Sequence, residues 1–337
     1  MGQIRINWID WAKFLGIALV VFGHTEFDES NMFIRKFIYS FHMPLFFFIS
    51  GFLFKLKEDN FREYLKNSFV SLMIPYLFFF ILSIIFNPYF AYITFTKDLM
   101  GVFLSFICGS GGEPLSVATW FLASLFLVRV FAYFLIKYKV NIYVSILILA
   151  LSSIIAYYSP SGRLFVGTFS SFMALPIFML GHFSKDRQVL NRDLSVTKSF
   201  IMAVLSLCLL LLINSVQGEI GVDMSNRNFG NYPYLFYVEA LSGIYMIIGI
   251  SMVLAHFIKN TPFFIKTIST GTIVILGLNL PILWIPRTIL RRILHIESGV
   301  DGSLVANIFL FFAVFIILYY PIIWMQKRIP FLIGNRK

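Results

Sequence analysis

The sequence predicts an all-α integral membrane protein, a polytopic helical bundle with about ten transmembrane helices. Of its 337 residues, 59% are hydrophobic and only 13% are charged, and Phe alone supplies 41 residues. Soluble domains average about 45–50% apolar and about 25% charged residues, so an ordinary soluble fold does not bury this much apolar surface. The apolar runs are long and continuous, whereas the strands of a transmembrane β-barrel show short alternating segments.

Each predicted helix is an apolar run close to the about 20 residues needed to cross the hydrocarbon core. In chain order the runs cover 8–24, 37–54, 68–86, 119–136, 140–158, 168–183, 200–216, 235–257, 268–286 and 304–325. The stretches between the runs are too short for a separate soluble domain. Residues 1–337 are therefore predicted to form a single transmembrane domain.

Basic residues are distributed unevenly between the two sides of the predicted bundle. With ten spans both termini share one side, and that side carries 17 Lys and Arg residues against 8 on the other. Because cytoplasmic loops are enriched in Lys and Arg, both termini are predicted to be cytoplasmic. The net charge of +11 is thus interpreted as a topology signal, and we expect no nucleic-acid partner. The two cysteines, Cys108 and Cys208, provide neither a disulfide framework nor a metal cluster, so no metal is expected.

The first span carries three ionisable residues, which are costly inside a membrane and are candidates for function. Asp10 and Lys13 are three residues apart and lie on one helical face, where they can pair. Lys13 and His24 are eleven residues apart, which is close to three turns and about 16 Å along the helix axis. Asp10, Lys13 and His24 are therefore predicted to form a polar seam on one face of an apolar helix.

Other polar residues near the predicted membrane boundaries are candidates for substrate binding. His42 opens the second span from the same side as His24 and can face a shared cavity, or it is an interfacial histidine held by backbone contacts. Glu239 is a candidate partner for Arg129 or for the seam, or it extends to the interface. Trp120 begins the fourth span, where an aromatic belt residue is the alternative to a functional one.

These residues belong to a recognisable pattern. The run Trp8 to Lys13, then His24, and the segment Phe41 to Gly51 resemble the acyltransferase family 3 membrane proteins. The first-span motif of that family is a basic residue, ten intervening residues and His, which Lys13 and His24 match without a gap. Further segments that resemble the family less specifically are Ile74-Pro75-Tyr76, Trp120-Phe121-Leu122, Pro176 to Gly181 and Asn231 to Tyr237. Within the family, the chain is similar to the fucose 4-O-acetyltransferase-like branch.

The resemblance implies an acyl transfer, usually of acetyl from acetyl-CoA to a hydroxyl of a cell-envelope polysaccharide or a lipid-linked glycan. On this hypothesis His24 is the general base, or a transient acyl carrier, and Asp10 neutralises and orients Lys13. Lys13 stabilises the anionic donor or the developing oxyanion. Acetyl-CoA is then a substrate that acts as acyl donor, and the location implied is the bacterial inner (cytoplasmic) membrane.

Two positions depart from the family pattern. In the family, the segment before Pro75 often contains two basic residues. Here Lys66 is present, but Ser71 stands where the second basic residue is common. Lys66, with Arg62 and Lys13, is predicted to bind the phosphates of the donor. Asn279 stands near a place where relatives often carry His, and it indicates a different acceptor.

Several alternatives stay open at this level. A transporter or flippase of a sugar or sugar-lipid has a similar composition, although no repeated halves with matching broken helices are visible in the sequence. Transfer of succinyl or another acyl group is the alternative within the enzyme class. The expected partners are the glycan or lipid-linked acceptor, acetyl-CoA and membrane lipid, with a homo-oligomer as a further possibility.

Overall fold

The computed structural model describes residues 6–25, 27, 29–56, 60–86, 119–158, 168–186, 190, 194–218, 221–224, 228–292 and 303–335. These ranges contain α-helices and short 3-10 turns, with one isolated antiparallel bridge between Asp223 and Asn228 and no β-strand. The helices are α1 Asn7–Gly23, α2 Met32–Tyr39, α3 His42–Leu53, α4 Phe61–Phe86, α5 Trp120–Lys137, α6 Ile142–Tyr158, α7 Thr168–Asp186, α8 Val196–Val216, α9 Phe236–Phe257, α10 Phe263–Thr270, α11 Thr272–Arg292 and α12 Leu304–Arg328. The all-α prediction is confirmed.

Length and hydropathy identify six candidate membrane spans among the described helices, at Glu29–Leu53, Phe61–Leu82, Trp120–Lys137, Val196–Val216, Pro233–Phe257 and Leu304–Arg328. A seventh is the pair α10 and α11, which bends by 81°. Each of the ten predicted runs coincides with helix, but several helices, such as the 17-residue α1, are short. The figure of about ten spans therefore stays a prediction.

Two predicted spans are interrupted. The run 37–54 contains the end of α2 and all of α3, which begins at His42 and has Pro44 in its first turn, where no backbone donor is required. The run 268–286 is divided at Gly271, the last residue before α11. A β-carbon at Gly271 would lie 3.0 Å or less from side-chain atoms of Ile322 in α12, so close packing favours glycine at this bend.

Helix α1 lies inside the bundle and packs against α3, α9, α10, α11 and α12. Its buried apolar residues include Ile9, Ala12, Ile17 and Val20, of which the last three are fully buried. Helices α6, α8 and α12 instead expose many large apolar side chains, as expected for surfaces that face lipid. The polar residues of α1 are thus held among other helices and not among lipids.

Helices α3 and α7 approach each other closely through two glycines. A β-carbon at Gly51 would overlap the backbone carbonyl of Phe178, and one at Gly181 would overlap the carbonyl of Phe48. Small residues permit this close backbone approach between membrane helices. Because α3 carries His42 at one end and cavity residues at the other, this contact fixes a helix of the candidate site.

We expect Gly51→Ala to destabilise the protein by about 1–3 kcal/mol, because the added methyl group overlaps backbone atoms, which cannot move aside by a change of side-chain rotamer. The measurement is the midpoint of thermal unfolding in detergent. Leu180→Ala on α7 is the matched control, because Leu180 is 39% exposed and its truncation removes no interhelical contact of this kind. An unchanged midpoint for Gly51→Ala would show that the two helices separate more easily than this packing implies.

Candidate functional site

A cavity of about 550 Å³ lies between α1, α3, α4, α5, α11 and the residues Gly334 and Asn335, which follow the 3-10 turn Pro330–Ile333. Its walls come from Lys13 of α1, from α3 between Phe46 and Leu53, from the beginnings of α4 and α11, and from α5 between Phe121 and Arg129. The end of α3 and the beginnings of α4 and α11 lie at the end of the bundle where α1 begins, and the cavity extends from there along α5 as far as Phe121. Lys13 is the residue of the polar seam that lines it, and His24 is not among the lining residues.

Three cationic side chains from three different segments line this cavity, namely Lys13, Lys55 and Arg129. Neutral polar groups accompany them, including Asn67, Ser68, Ser71 and Asn335. A concave surface with several positive charges concentrates anionic ligands, because low-dielectric walls focus the field. The walls are thus suited to bind a polyanionic ligand that also carries polar groups.

The positions of Arg62 and Lys66 differ from the predicted donor site. Both side chains are exposed, and neither is among the residues that line the cavity. On α4 the lining residues are Tyr64, Asn67, Ser68, Ser71 and Leu72, which share one helical face. Arg62 and Lys66 lie on the opposite face, so their assignment to the donor stays an untested prediction.

Arg129 is a cavity residue that the sequence identified as an ionisable group at membrane depth but did not assign to the site. It shares one face of α5 with Leu122 and Leu125, which also line the cavity. The Tyr64 hydroxyl donates a hydrogen bond of 2.8 Å to the backbone carbonyl of Arg129. This bond ties α4 to α5 beside the charged side chain.

Asp10 anchors the beginning of the polar seam to the neighbouring short helix. It is buried, at 6% exposure, and its Oδ1 atom accepts a hydrogen bond of 2.6 Å from the Ser269 hydroxyl of α10. The bend at Gly271 follows two residues after Ser269, and α11 begins there, at the cavity wall. The same short segment therefore holds Asp10 and positions the beginning of α11. Lys13 is then one turn along α1, inside the cavity wall.

His24 and His42 lie close together at the other end of the seam, on either side of Tyr39. The ring centroids are 6.3 Å apart for His24 and Tyr39 and 4.9 Å apart for Tyr39 and His42. His24 caps the end of α1, while His42 begins α3 and is only 4% exposed. Neither histidine lines the cavity described above, so the prediction that the two face a shared cavity stays untested.

Both histidines use the same ring nitrogen for a backbone contact. The Nδ1 atom of His24 is 2.7 Å from the Val20 carbonyl, and the Nδ1 atom of His42 is 2.8 Å from the Ile38 carbonyl. Since a carbonyl oxygen only accepts, each Nδ1 atom must be the donor. The neutral tautomer set by this bond has Nε2 as its lone-pair nitrogen, which is the atom a general base uses.

Charged groups of both signs surround this pair of rings. The Arg35 guanidinium carbon is 4.9 Å from the centroid of the Tyr39 ring, and Arg35 and Asp223 both interact electrostatically with His24. Asp223 is held by two backbone hydrogen bonds of 2.8 Å with Asn228. The sequence did not identify Arg35 or Asp223 as site residues, because their proximity to His24 results from the folding of distant segments.

Glu239 is part of a buried polar network and does not extend to the membrane interface. It is 1% exposed, and its carboxylate accepts hydrogen bonds from Asn214 Nδ2 at 2.8 Å and from Gln217 Nε2 at 3.3 Å. Lys36 interacts electrostatically with it and donates to the backbone carbonyls of Asn214 and Gly218. The alternative that Glu239 extends to the interface is therefore wrong, and its contacts join α2, α8 and α9.

Trp120 and Asn279 are the remaining predicted substrate residues. Trp120 is 9% exposed and packs against Phe47, with ring centroids 6.3 Å apart. Asn279 is fully buried, and neither polar atom of its side chain has a hydrogen-bond partner among the described residues. On α11 it shares a face with Thr272 and Leu276 of the cavity wall, one turn deeper than Leu276.

Groups of three or more His, Cys, Asp or Glu side chains with the geometry of a metal site are absent from the described part of the chain. A histidine with an available Nε2, a cationic cavity and a buried amide are suited to acid–base and electrostatic catalysis on a polar substrate.

Comparison with known proteins gives one match that covers nearly the whole chain. Residues 6–325 match the family model of acyltransferase family 3, described as an acyltransferase domain. No curated protein and no solved structure matches the chain. The fucose 4-O-acetyltransferase-like branch is not distinguished by this match and stays a prediction. The match covers far more than half of the chain, and the chain therefore belongs to acyltransferase family 3 and is a membrane acyltransferase.

Proposed function

We propose that this protein transfers an acetyl group from acetyl-CoA to a sugar hydroxyl of a cell-surface polysaccharide or a lipid-linked glycan. The observation that carries the proposal is that one helix, α1, places Lys13 in the cationic cavity and His24 about 16 Å further along the same face. A donor bound in the cavity thus lies in line with a potential base. The family supports acyl transfer, while the acetyl donor and the glycan acceptor are our proposal.

The cavity suits the donor because coenzyme A carries several phosphate charges and polar amides. Lys13, Lys55 and Arg129 offset the phosphate charge, and the hydroxyl and amide side chains of the walls pair with the polar groups of the arm. The excess of basic residues at this end supports its orientation toward the cytoplasm, where coenzyme A is present. Both termini are then cytoplasmic, and the proposed location is a bacterial inner membrane.

His24 is proposed to act as the general base. Its Nε2 atom takes the proton of the acceptor hydroxyl while the acceptor oxygen bonds to the acyl carbon. The bond between carbon and sulfur then breaks, and the proton is returned to the departing thiolate, which leaves as the free thiol. Lys13 stabilises negative charge on the donor, and Asp10, held by Ser269, keeps the beginning of α1 in place for Lys13.

The acceptor is proposed to bind at the His24 end of the seam. His42 and Tyr39 lie beside His24 there, and Arg35 and Asp223 provide charged hydrogen-bonding groups for sugar hydroxyls. Glu239 is less suited to direct contact, because Asn214 and Gln217 occupy its carboxylate. The unpartnered Asn279 amide is suited to a polar group of either substrate, since a buried amide gains most from a ligand that satisfies it.

The test uses purified protein in lipid vesicles with acetyl-CoA that carries a radiolabelled acetyl group. Label is measured on a panel of free sugars, polysaccharides and lipid-linked sugars, and free thiol is measured in parallel. We expect label on a glycan with an equivalent amount of free coenzyme A. Movement of a sugar-lipid across the bilayer without any release of coenzyme A would contradict the proposal and favour a transporter or flippase.

A further inference from the structure

The donor cavity ends at two phenylalanine rings. Phe46 of α3 and Phe121 of α5 both line it, and their ring centroids are 6.0 Å apart in an edge-to-face arrangement. Phe46 is only 6% exposed, so its ring is fixed by packing. Polar side chains such as Lys55, Asn67 and Asn335 line other parts of the wall, and the part formed by Phe46 and Phe121 is apolar.

The Phe46 ring lies between the cavity and the two histidines. His42 is one turn before Phe46 on α3, and Ile49 and Ser50 of the cavity wall are one turn after it on the same face. On the facing helix, Gly16 lies between Lys13 and His24. Neither His24 nor His42 is among the residues that line the cavity.

Gly16 allows this ring to approach the backbone of α1. A β-carbon at Gly16 would be 2.9 Å from Leu45 Cδ2 and 3.2 Å from Phe46 Cζ, closer than ordinary van der Waals contact. Leu45 and Phe46 thus fill the space between α1 and α3 at a depth between Lys13 and His24. A thioester that extends along the seam from Lys13 toward His24 therefore passes beside the Phe46 ring near its acyl end.

We propose that Phe46 is the specificity residue that restricts the donor to short acyl groups. This inference rests on the proposed function, because it concerns the acyl end of the same donor. In this proposal the acetyl methyl group lies beside the Phe46 ring, and a longer acyl chain requires the ring to turn against Phe121, whose ring centroid is 6.0 Å away. One methylene in a closely packed apolar pocket changes specificity by about tenfold or more.

The test compares kcat/KM for acetyl-CoA, butyryl-CoA and octanoyl-CoA in the wild type, Phe46→Ala and Phe46→Leu, with the panel of sugars, polysaccharides and lipid-linked sugars present as acceptors and release of free coenzyme A as the readout. Phe48→Ala is the matched control, since Phe48 is a fully buried phenylalanine on the same helix that packs against Tyr245 and does not line the cavity. Phe46→Leu keeps most of the apolar volume and serves as the variant with the smaller structural disturbance.

We expect the ratio of butyryl-CoA to acetyl-CoA activity to rise about tenfold in Phe46→Ala and by a smaller factor in Phe46→Leu, and to stay unchanged in Phe48→Ala. A general loss of stability lowers both activities together, so the ratio reports on the pocket. If the wild type releases coenzyme A but neither Phe46 variant changes the ratio, the inference is overturned. If the wild type releases no coenzyme A from any donor, the proposed function itself fails.

Discussion

Replacing His24 with Ala is expected to reduce acyl transfer by about 10²- to 10⁴-fold, the usual contribution of a positioned general base. The fall should appear in kcat, because the imidazole acts on the acceptor proton and lies outside the cavity that holds the donor. Transfer of label from acetyl-CoA to glycan in vesicles is the measurement. Binding of acetyl-CoA to the same preparation should persist and shows that the variant is folded.

His256→Ala is the matched control for this substitution. His256 is in the last turn of α9 and is exposed, so its removal changes the histidine content without touching the site. Full activity of His24→Ala would remove His24 from the mechanism. His42→Ala, measured alongside, distinguishes the base from its neighbour: we expect a smaller effect there, mainly on the KM for the acceptor.

Removing the cationic groups of the cavity is expected to weaken the binding of the acyl donor strongly. Hydrogen bonds to charged groups contribute about 1.5–3 kcal/mol, so Arg129→Met should raise the KM for acetyl-CoA by about 10- to 100-fold. Arg129→Lys keeps the charge and should recover part of the affinity. Lys13→Met should raise the KM for acetyl-CoA and also lower kcat, because Lys13 lies on the same face of α1 as His24.

Two further lysine variants complete the donor experiment. Lys198→Met removes an exposed charge at the beginning of α8 and should leave the KM for acetyl-CoA unchanged. Lys66→Met tests the prediction from the sequence that this residue binds donor phosphates. A larger effect of Lys66→Met than of Arg129→Met would show that phosphates bind on the outer face of α4 and not in the cavity.

The local properties of the chain were predictable because they depend on short-range periodicity. A run of about 20 apolar residues specifies a helix in a membrane whatever surrounds it, since lipid cannot satisfy the backbone. The shared face of Lys13 and His24 follows in the same way from the helical repeat. The family motif on α1 added the chemistry, and the family match over residues 6–325 confirmed the family.

Which face of each helix meets the cavity was not predictable, because that is decided by contacts between distant segments. Lys66 and Ser71 are both polar residues of α4, yet only the face with Ser71 is turned to the cavity. Arg129 was visible as a charge within a span, but only the packing of α5 beside α4 places it near Lys13.

The sequence by itself determined that this chain is a helical membrane protein and that Asp10, Lys13 and His24 form one polar face. The tertiary structure decided what surrounds that face. It brings Ser269 to Asp10, places Tyr39 between His24 and His42, and packs Phe46 against Gly16. The physical reason is that hydrophobicity sets the length of each helix, whereas side-chain shape and the pairing of buried polar groups decide which helices meet.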